Sequence, residues 1–450
     1  SGNLGTALTT GTDNVAIGEA SLDAVTTGSD NVAVGDNAGG ALTTGDDNVA
    51  IGSGALLVAT TVSDMTAVGS AALTANTTGT ANTAIGYNAG LAVTTGANNT
   101  ALGYQSLKTA TTTSGNTAVG ENALRDCTGT ENTALGSSAM YDGAGGTENV
   151  AVGNDALIVN AGNENVSIGG DSMKANTTGA NNVAVGYAAL DANTTADQNT
   201  AVGGNALGAN TTGSNHVAVG YNALATNTTA HYNVAVGHQA LETNAGASNT
   251  AIGTEAMEAN TTGAENVAVG AKALEANTTA GTNTAIGFNA MLVNTTGADN
   301  TAVGAQALDA NTTASDNTAV GGASLGANTT GASNTAVGRS ALSASTTGTE
   351  NVAVGKGSLD ATGAGTDGSY NVAIGNDALG ANTQGQFNVA VGRRALYANT
   401  TADENTAVGY LALYTSQTGD GNTAVGVSAL QTANGASNNT AIGNRALTGN

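Results

Sequence analysis

Aliphatic and small residues recur along the chain in one short pattern, Asn-(Thr/Val)-Ala-(Val/Ile)-Gly. It appears first as Asn14–Gly18 and last as Asn439–Gly443, and its 26 copies mostly follow one another at 17-residue intervals. The β-branched residues of the motif favour an extended segment, and its Gly marks a turn. A fixed period of this length is typical of a repeat protein whose units stack along one axis.

The unit from Asn182 to Gln198 shows how one period would fold. Its motif ends at Gly186, and a second stretch rich in Ala, Leu and Thr follows. A unit of 17 residues is too short for a helix with two strands, but it can hold two short strands and two tight turns. The sequence therefore predicts an all-β parallel β-solenoid (a β-roll) of about 26 coils. We expect residues 1–450 to form a single repetitive segment of a longer fibre.

Strand alternation assigns the side chains to two faces. In the motif, the fourth residue (Val, Ile or Leu) shares a face with the second (Thr or Val), and the Ala between them points away. In the second stretch, Leu190 and Ala192 share a face, while Asp191 points to solvent. Because the Leu190 position is Leu or Met in 24 of the 26 units, we predict a core of this Leu and the motif's Val or Ile.

The motif Ala is nearly invariant, since only Ser167 replaces it. A position facing water would vary, so a uniformly small side chain indicates close packing against another backbone. One coil buries about one Leu and one Val, at roughly 1.5–3 kcal/mol each, which is too little to order a whole unit. We therefore predict a homotrimer in which three identical chains meet along this row of alanines.

Two further features of the repeat are its nearly invariant Asn and one unit of unusual length. The motif Asn is replaced only by Met65 and His216, and stacked Asn side chains can hydrogen-bond from coil to coil. We therefore interpret this Asn as structural. The unit that starts at Asn351 is three residues longer than the 17-residue period, and we expect residues 363–370 to form a plain surface bulge.

The composition fits a thin core repeated many times. The chain has 66 Gly, no Pro, no Trp and only 12 Phe and Tyr residues. Its 33 acidic and 9 basic residues give a formal charge of −24, which opposes binding to nucleic acid. No apolar run approaches the roughly 20 residues of a membrane span, so we expect no membrane insertion by this segment. The single cysteine, Cys127, allows no disulfide within the chain.

No arrangement of residues points to catalysis, and we predict neither an enzyme nor a cofactor. The histidines at 216, 231 and 238 fall at different places in the repeat, and no Cys or carboxylate completes a metal site with them. Acidic residues precede the motif Asn in many units, as at Asp30, Asp47 and Asp64. We interpret them as a solvated acidic edge, with weak Ca²⁺ binding as the alternative.

The aromatic residues occupy variable positions of the repeat, which places them outside the core. Exposed aromatic side chains invite a binding hypothesis, and Tyr with Arg suits the recognition of glycans or polar surfaces. Surface decoration that stiffens the corners is the alternative. The densest group lies on two consecutive units and is the candidate ligand-binding patch: Arg393, Arg394, Tyr397, Tyr410 and Tyr414.

The motif resembles the head repeats of trimeric autotransporter adhesins, and it is similar to the Asn-Thr-Ala-(Val/Leu)-Gly repeats of phage tail fibres. The segments that carry the resemblance include Asn14–Gly18, Asn48–Gly52, Asn165–Gly169 and Asn371–Gly375. The resemblance covers essentially the whole chain, although the Ser of the adhesin signature is missing and the unit is longer. It implies a left-handed parallel β-roll trimer that acts in attachment, on a bacterial cell surface or on a virion.

These observations favour an extracellular structural or adhesive fibre that binds copies of itself and a host receptor, cell-surface receptor or glycan. An ice-binding solenoid is the first alternative, because repeated Asn-Thr-Thr, as at Asn193–Thr195, could form an evenly spaced outward array. Against it, the Asp191 row carries charges and Tyr that roughen the surface. A structural filament that assembles end to end is the second alternative.

Overall fold

The computed structural model describes residues 7–361, 368–433 and 435–448, so most of the predicted bulge at 363–370 lies outside the described residues. The described residues contain 26 β-strands and no helix. Each strand has three residues and coincides with the second to fourth positions of the motif. In chain order the strands are β1 (Val15–Ile17), β2 (Val32–Val34), β3 (Val49–Ile51), β4 (Thr66–Val68), β5 (Thr83–Ile85), β6 (Thr100–Leu102), β7 (Thr117–Val119), β8 (Thr133–Leu135), β9 (Val150–Val152), β10 (Val166–Ile168), β11 (Val183–Val185), β12 (Thr200–Val202), β13 (Val217–Val219), β14 (Val234–Val236), β15 (Thr250–Ile252), β16 (Val267–Val269), β17 (Thr284–Ile286), β18 (Thr301–Val303), β19 (Thr318–Val320), β20 (Thr335–Val337), β21 (Val352–Val354), β22 (Val372–Ile374), β23 (Val389–Val391), β24 (Thr406–Val408), β25 (Thr423–Val425) and β26 (Thr440–Ile442).

The chain divides into two compact units, each a parallel β-solenoid with the 17-residue period. Ser1–Asn222 with Asn227–Thr229 form the first unit, and Ala223–Thr226 with Ala230–Asn450 form the second. In the first, consecutive strands from β1 to β13 pair in parallel, and in the second, consecutive strands from β14 to β26 do the same. The register matches like positions, so Ala184 of β11 aligns with Ala201 of β12. The predicted solenoid is therefore confirmed within each unit.

The motif Ala lies inside its own coil, so the face assignment from the sequence was wrong. Ala184 and Ala201 have no exposed surface, while the flanking Thr, Val, Ile and Leu side chains are half-buried or exposed. A Cβ added at Gly90, which stands where other coils have the core Leu, would lie 3.6 Å from the Cβ of Ala84. The Ala is small because the coil's own Leu faces it at close range. Its uniformity therefore gives no evidence for a neighbouring chain.

The second stretch of each unit forms turns, so the predicted second strand was also wrong. The Leu190 side chain is fully buried, as predicted. Its backbone, however, has a φ of 53°, and Ala188 and Gln198 of the same coil have φ values of 51° and 60°. Three left-handed residues per coil turn the chain and prevent a period-two alternation. As a result Ala192 is only half-buried, and the next residue, Asn193, is buried.

The motif Gly is required by the close stacking of coils. Gly186 has a φ of 142°, and a Cβ there would lie 2.5 Å from the carbonyl oxygen of Gly203 on the next coil. Because that contact is far inside van der Waals distance, no side chain fits at this corner. The same relation recurs from coil to coil, for example between Gly203 and Gly220. These glycines therefore set how closely the coils approach.

Buried asparagines form hydrogen-bonded ladders along each unit, which confirms the structural interpretation of the motif Asn. Asn182 donates from Nδ2 to the carbonyl of Ala196 across its own coil (2.8 Å), and its Oδ1 accepts from the backbone N–H of Asn199 (3.0 Å). A second ladder runs through Asn193, whose Nδ2 donates to Oδ1 of Asn176 at 2.7 Å. The interior is thus partly polar, and most of its polar groups are paired.

Two coils replace the core Leu with Gly and compensate within the same coil. Gly39 and Gly90 stand at the Leu position, and Leu42 and Val93 stand three residues later, where many coils have the second buried Asn. Leu42 and Val93 are fully buried, and a Cβ added at Gly39 would lie 3.1 Å from Cδ1 of Leu42. Leu42 and Val93 therefore supply the apolar core volume that the missing Leu would have filled, at a position three residues further along the coil.

Candidate binding surfaces

The solenoid register brings the five residues of the candidate ligand-binding patch onto one turn of two consecutive coils. Arg393 and Tyr410 directly follow a motif Gly, and Tyr397 and Tyr414 lie four residues further along. The backbone N–H of Leu411 donates to the carbonyl of Arg393 at 3.2 Å, which aligns the two coils at this turn. The patch predicted from the sequence is therefore one contiguous surface. Its role in binding stays a prediction.

Within the patch, the rings of Tyr397 and Tyr414 are stacked, with centroids 5.5 Å apart and planes 13° from parallel. The guanidinium of Arg394 lies 5.5 Å from the Tyr397 ring centroid, and its Nε donates to Oδ2 of Asp377 at 3.3 Å. The hydrogen bond that Arg394 donates to Asp377 raises the pKa of Arg394. Arg394 is therefore held by neighbours, whereas the Arg393 side chain is exposed, as is Tyr410 at 45 %.

Stacked aromatic pairs also occur elsewhere on the surface, always at equivalent positions of consecutive coils. Tyr87 and Tyr104 stack at 5.6 Å, and Tyr370 and Phe387 stack at 5.0 Å. These distances follow the spacing of neighbouring strands, so stacking is a direct consequence of repeating an aromatic residue in register. What distinguishes the patch at 393–414 is the addition of two arginines.

The outward sheet face is a surface that the sequence argument missed. It consists of the first and third residues of each strand, and all of them are Thr, Val, Ile or Leu. Several of the aliphatic side chains are well exposed, among them Leu135 at 48 % and Ile252 at 41 %. No charged residue lies on this face in the described strands. The strand alternation could have revealed it, had the Ala row been assigned to the interior.

The Thr pair that follows the second buried Asn is partly engaged by its own coils. Thr194 donates from Oγ1 to the carbonyl of Thr211 at 3.0 Å, and Thr211 donates likewise to Thr228. The next residue, Thr195, is exposed. Only one hydroxyl of each pair is therefore directed to solvent in this array.

One acidic cluster lies in the second unit, and a lysine balances part of its charge. Oxygen atoms of Glu255, Glu258 and Glu275 lie within 4.8 Å of one another. Lys272 contacts Glu255 at 2.7 Å and Glu275 at 3.0 Å, and these hydrogen bonds raise the pKa of Lys272 and lower that of Glu255. Burial, followed by the charges of Glu255, Glu242 and Glu275, raises the pKa of Glu258. The ammonium group of Lys272 is therefore paired with Glu255 and Glu275.

The buried titratable residues take the places of buried asparagines of the repeat. His216 takes the place of a motif Asn, is fully buried, and its Nε2 lies 3.2 Å from Nδ2 of Asn227. Cys127 takes the place of a second-ladder Asn and is also fully buried. Burial raises the pKa of the Cys127 thiol, which keeps it protonated and unreactive. These residues fill the interior of their coils.

The described residues contain no helix long and apolar enough to cross a membrane. Comparison of the chain with protein-family models and with curated proteins gave no match.

Proposed function

We propose that the chain is a structural and adhesive segment of an extracellular attachment fibre, of the kind carried on a bacterial surface or on a virion, and that it performs no catalysis. The observation that supports this best is the uncharged outward sheet face, which repeats with every coil. Exposed aliphatic rows of this kind are typical of a surface that another molecule covers. The fibre model gives that role to further copies of the same chain.

A second copy is the partner that fits this face best. The outward side chains of the strands form rows that repeat once per coil. Only a partner with the same repeat can contact such rows along their whole length. Thirteen strands at roughly 4.8 Å spacing, each of three residues at roughly 3.3 Å, give each unit a face of about 600 Å². A specific interface buries about 800 Å² per partner, and each chain of a trimer contacts two neighbours, so side chains that flank this face would also have to take part. The proposed assembly is a homotrimer joined through this outward face.

Attachment itself is assigned to the aromatic surface, above all to the candidate patch at Arg393, Arg394, Tyr397, Tyr410 and Tyr414. The proposed ligand is a host or cell-surface receptor or its glycan. Sedimentation of the purified chain tests the assembly, and adhesion of the labelled chain to candidate host cells tests the attachment. A single-chain species that adheres to no cell would contradict the proposal.

Ice binding is a second candidate, and it is supported by a different surface from the Asn-Thr-Thr array. In the second unit, Thr284, Thr301, Thr318 and Thr335 align on the outward face of consecutive strands. Each stands beside an outward Val or Ile, and the charged Asp191 row is not on this face. An ice-recrystallisation assay separates the candidates, since an attachment fibre would leave crystal growth unchanged.

A further inference from the structure

We propose that Tyr187, Gly204 and Tyr221 form a slot that binds one pyranose ring of a neutral glycan. In naming a glycan this inference rests on the proposed attachment function, although the slot is separate from the patch at 393–414. The three residues directly follow a motif Gly on the consecutive coils of β11, β12 and β13. All three belong to the first unit.

The register stacks the three positions above one another. The backbone N–H of Asn205 donates to the carbonyl of Tyr187 at 2.9 Å, and that of Asn222 donates to the carbonyl of Gly204 at 3.1 Å. Gly204 has no side chain, so the place of an outward side chain between the two rings is open. The rings themselves extend into solvent, with Tyr187 68 % and Tyr221 57 % exposed.

The two rings keep a separation of about two coils. Each lies over the Gly of the preceding coil: a Cβ added at Gly170 would be 3.7 Å from Cδ2 of Tyr187, and one at Gly204 would be 3.4 Å from Cδ2 of Tyr221. Because both rings lean the same way by a similar amount, their spacing stays near two strand separations, roughly 9.5 Å.

This spacing admits one ring between the two tyrosines. Carbon atoms in contact lie roughly 3.5–4.0 Å apart, so two ring contacts leave roughly 1.5–2.5 Å for the thickness of the inserted group. A pyranose in its chair form presents C–H groups on both of its faces, and these can contact the negative faces of the two aromatic rings.

The surroundings of the slot indicate a neutral, hydroxyl-rich ligand. The residues beside it on the same three coils are Ala188, Asn205 and Asn222, none of which is charged. Asn205 is exposed, and its Nδ2 donates to Oδ1 of Asn222 at 3.0 Å. An amide pair at the edge of the slot can exchange hydrogen bonds with sugar hydroxyls.

Gly204 is the residue on which the slot depends, and adjacent tyrosines show why. Where the same position is Tyr on two consecutive coils, as at Tyr87 and Tyr104, the rings stack on each other at 5.6 Å. Gly204 does not adopt a left-handed conformation, and Tyr occupies its position on both neighbouring coils. The substitution Gly204→Tyr should therefore fold normally and fill the slot with a third ring.

The experiment measures binding of cellohexaose, maltohexaose and chitohexaose to the full chain by saturation-transfer NMR and by tyrosine fluorescence. We expect at least one of these neutral hexaoses to bind, and Gly204→Tyr to weaken that binding at least about tenfold. The control is Gly322→Tyr, which makes the same change at the equivalent position of the β19 coil and should leave binding unchanged. Circular dichroism verifies that both variants are folded.

Two results would overturn the slot: binding of no neutral hexaose, or equal binding by wild type and Gly204→Tyr. Hexaose binding and cell adhesion, measured together, distinguish failure of the slot from failure of the attachment function. If the chain adheres to cells and Gly204→Tyr binds hexaoses as wild type does, the slot is wrong and the function stands. If a hexaose binds in the slot and the chain adheres to no cell, the slot stands and the attachment function falls.

Discussion

The side-chain oxygen of Asn182 accepts a hydrogen bond from the backbone N–H of Asn199, 3.0 Å away on the next coil. The amide nitrogen of the same side chain donates across its own coil to the carbonyl of Ala196. One residue thus holds the coil closed and joins it to its neighbour. Buried polar groups that are paired in this way stabilise the fold, whereas unpaired ones destabilise it. A core of one Leu and a few Ala per coil is sufficient because these polar ladders and the strand pairing complete each unit.

The second Asn ladder predicts stability changes of opposite sign at equivalent positions. Asn193 is paired through Asn176 and the carbonyl of Ala196, whereas neither side-chain polar atom of the buried Asn76 has a partner. Asn76→Val should therefore raise the free energy of unfolding by roughly 1–2 kcal/mol. Asn193→Val should lower it by roughly 1–3 kcal/mol. Urea unfolding followed by circular dichroism, with hydrogen exchange at the altered coils, measures both changes.

The surface variant Asn154→Ala serves as control for this comparison, since Asn154 is exposed and should change the free energy by less than about 0.5 kcal/mol. The same sign of change at Asn76 and Asn193 would argue against pairing as the source of the ladder's stability.

Charges on the outward sheet face should break the proposed assembly without unfolding the coils. Val185 and Val219 lie on this face two coils apart, and Lys at both would place unpaired ammonium groups in the interface. We expect Val185→Lys with Val219→Lys to shift the sedimenting species to a single chain of 42.9 kDa. Gln198→Lys, at an exposed corner, should sediment as wild type does. Retention of the wild-type mass by the double variant would show that another surface joins the chains.

The acidic cluster predicts a pH-dependent effect at Glu258, whose pKa is raised by burial and by Glu255, Glu242 and Glu275. Above its raised pKa, the ionised Glu258 is less favourable in the folded than in the unfolded chain, so it lowers stability near pH 7. That destabilisation disappears as the pH falls through the raised pKa, since the carboxyl is then protonated in the folded state. Glu258→Gln should therefore raise the urea midpoint at pH 7.

Below the ordinary Glu pKa of 4.5, residue 258 is neutral in both states of both proteins, and the two urea midpoints should converge. Lys272→Met is the companion variant. It removes the ammonium group that lies between Glu255 and Glu275, and it should lower the midpoint at pH 7. A Glu258→Gln effect that stays constant from pH 4 to pH 8 would mean that packing, and not charge, is responsible.

The candidate patch predicts a loss of attachment that depends on position. Tyr397→Ala with Tyr414→Ala removes one stacked pair and the ring beneath Arg394. We expect this variant to lose at least about tenfold of the apparent affinity for host cells or for the glycans on an array. Tyr87→Ala with Tyr104→Ala removes a matched stacked pair that has no Arg contact of this kind, and it should bind as wild type does. An equal loss of affinity in both double variants would show that the patch has no special role in attachment.

The period, the position of the motif strand and the buried Leu190 could be predicted from the sequence, because each follows from a repeated local pattern. The stacking of Tyr397 on Tyr414 could be predicted for the same reason, since equal positions on consecutive coils must lie one above the other. These features depend only on the register. They do not require knowledge of which face of the strand is the interior.

The orientation of the strand could not be obtained from the same pattern. Alternation separates Ala184 from Val183 and Val185, but both orientations satisfy it. A uniformly small residue fits close contact with another chain as well as contact with the coil's own Leu190. The positive φ of Leu190 could not be predicted either, because such a φ is uncommon for a bulky residue. The tight closure of a coil with a single short strand overrides that preference.

The motif Ala lies inside its coil, and the neighbouring Val faces outward. The most direct test is the reactivity of Ala201→Cys and Val202→Cys, each made in a Cys127→Ala background and treated with a maleimide and with an oxidant. We expect Val202→Cys to be labelled or to form a disulfide with another copy, and Ala201→Cys to do neither until urea unfolds the chain. Labelling or disulfide formation at Ala201→Cys in the folded protein, with Val202→Cys protected, would contradict it.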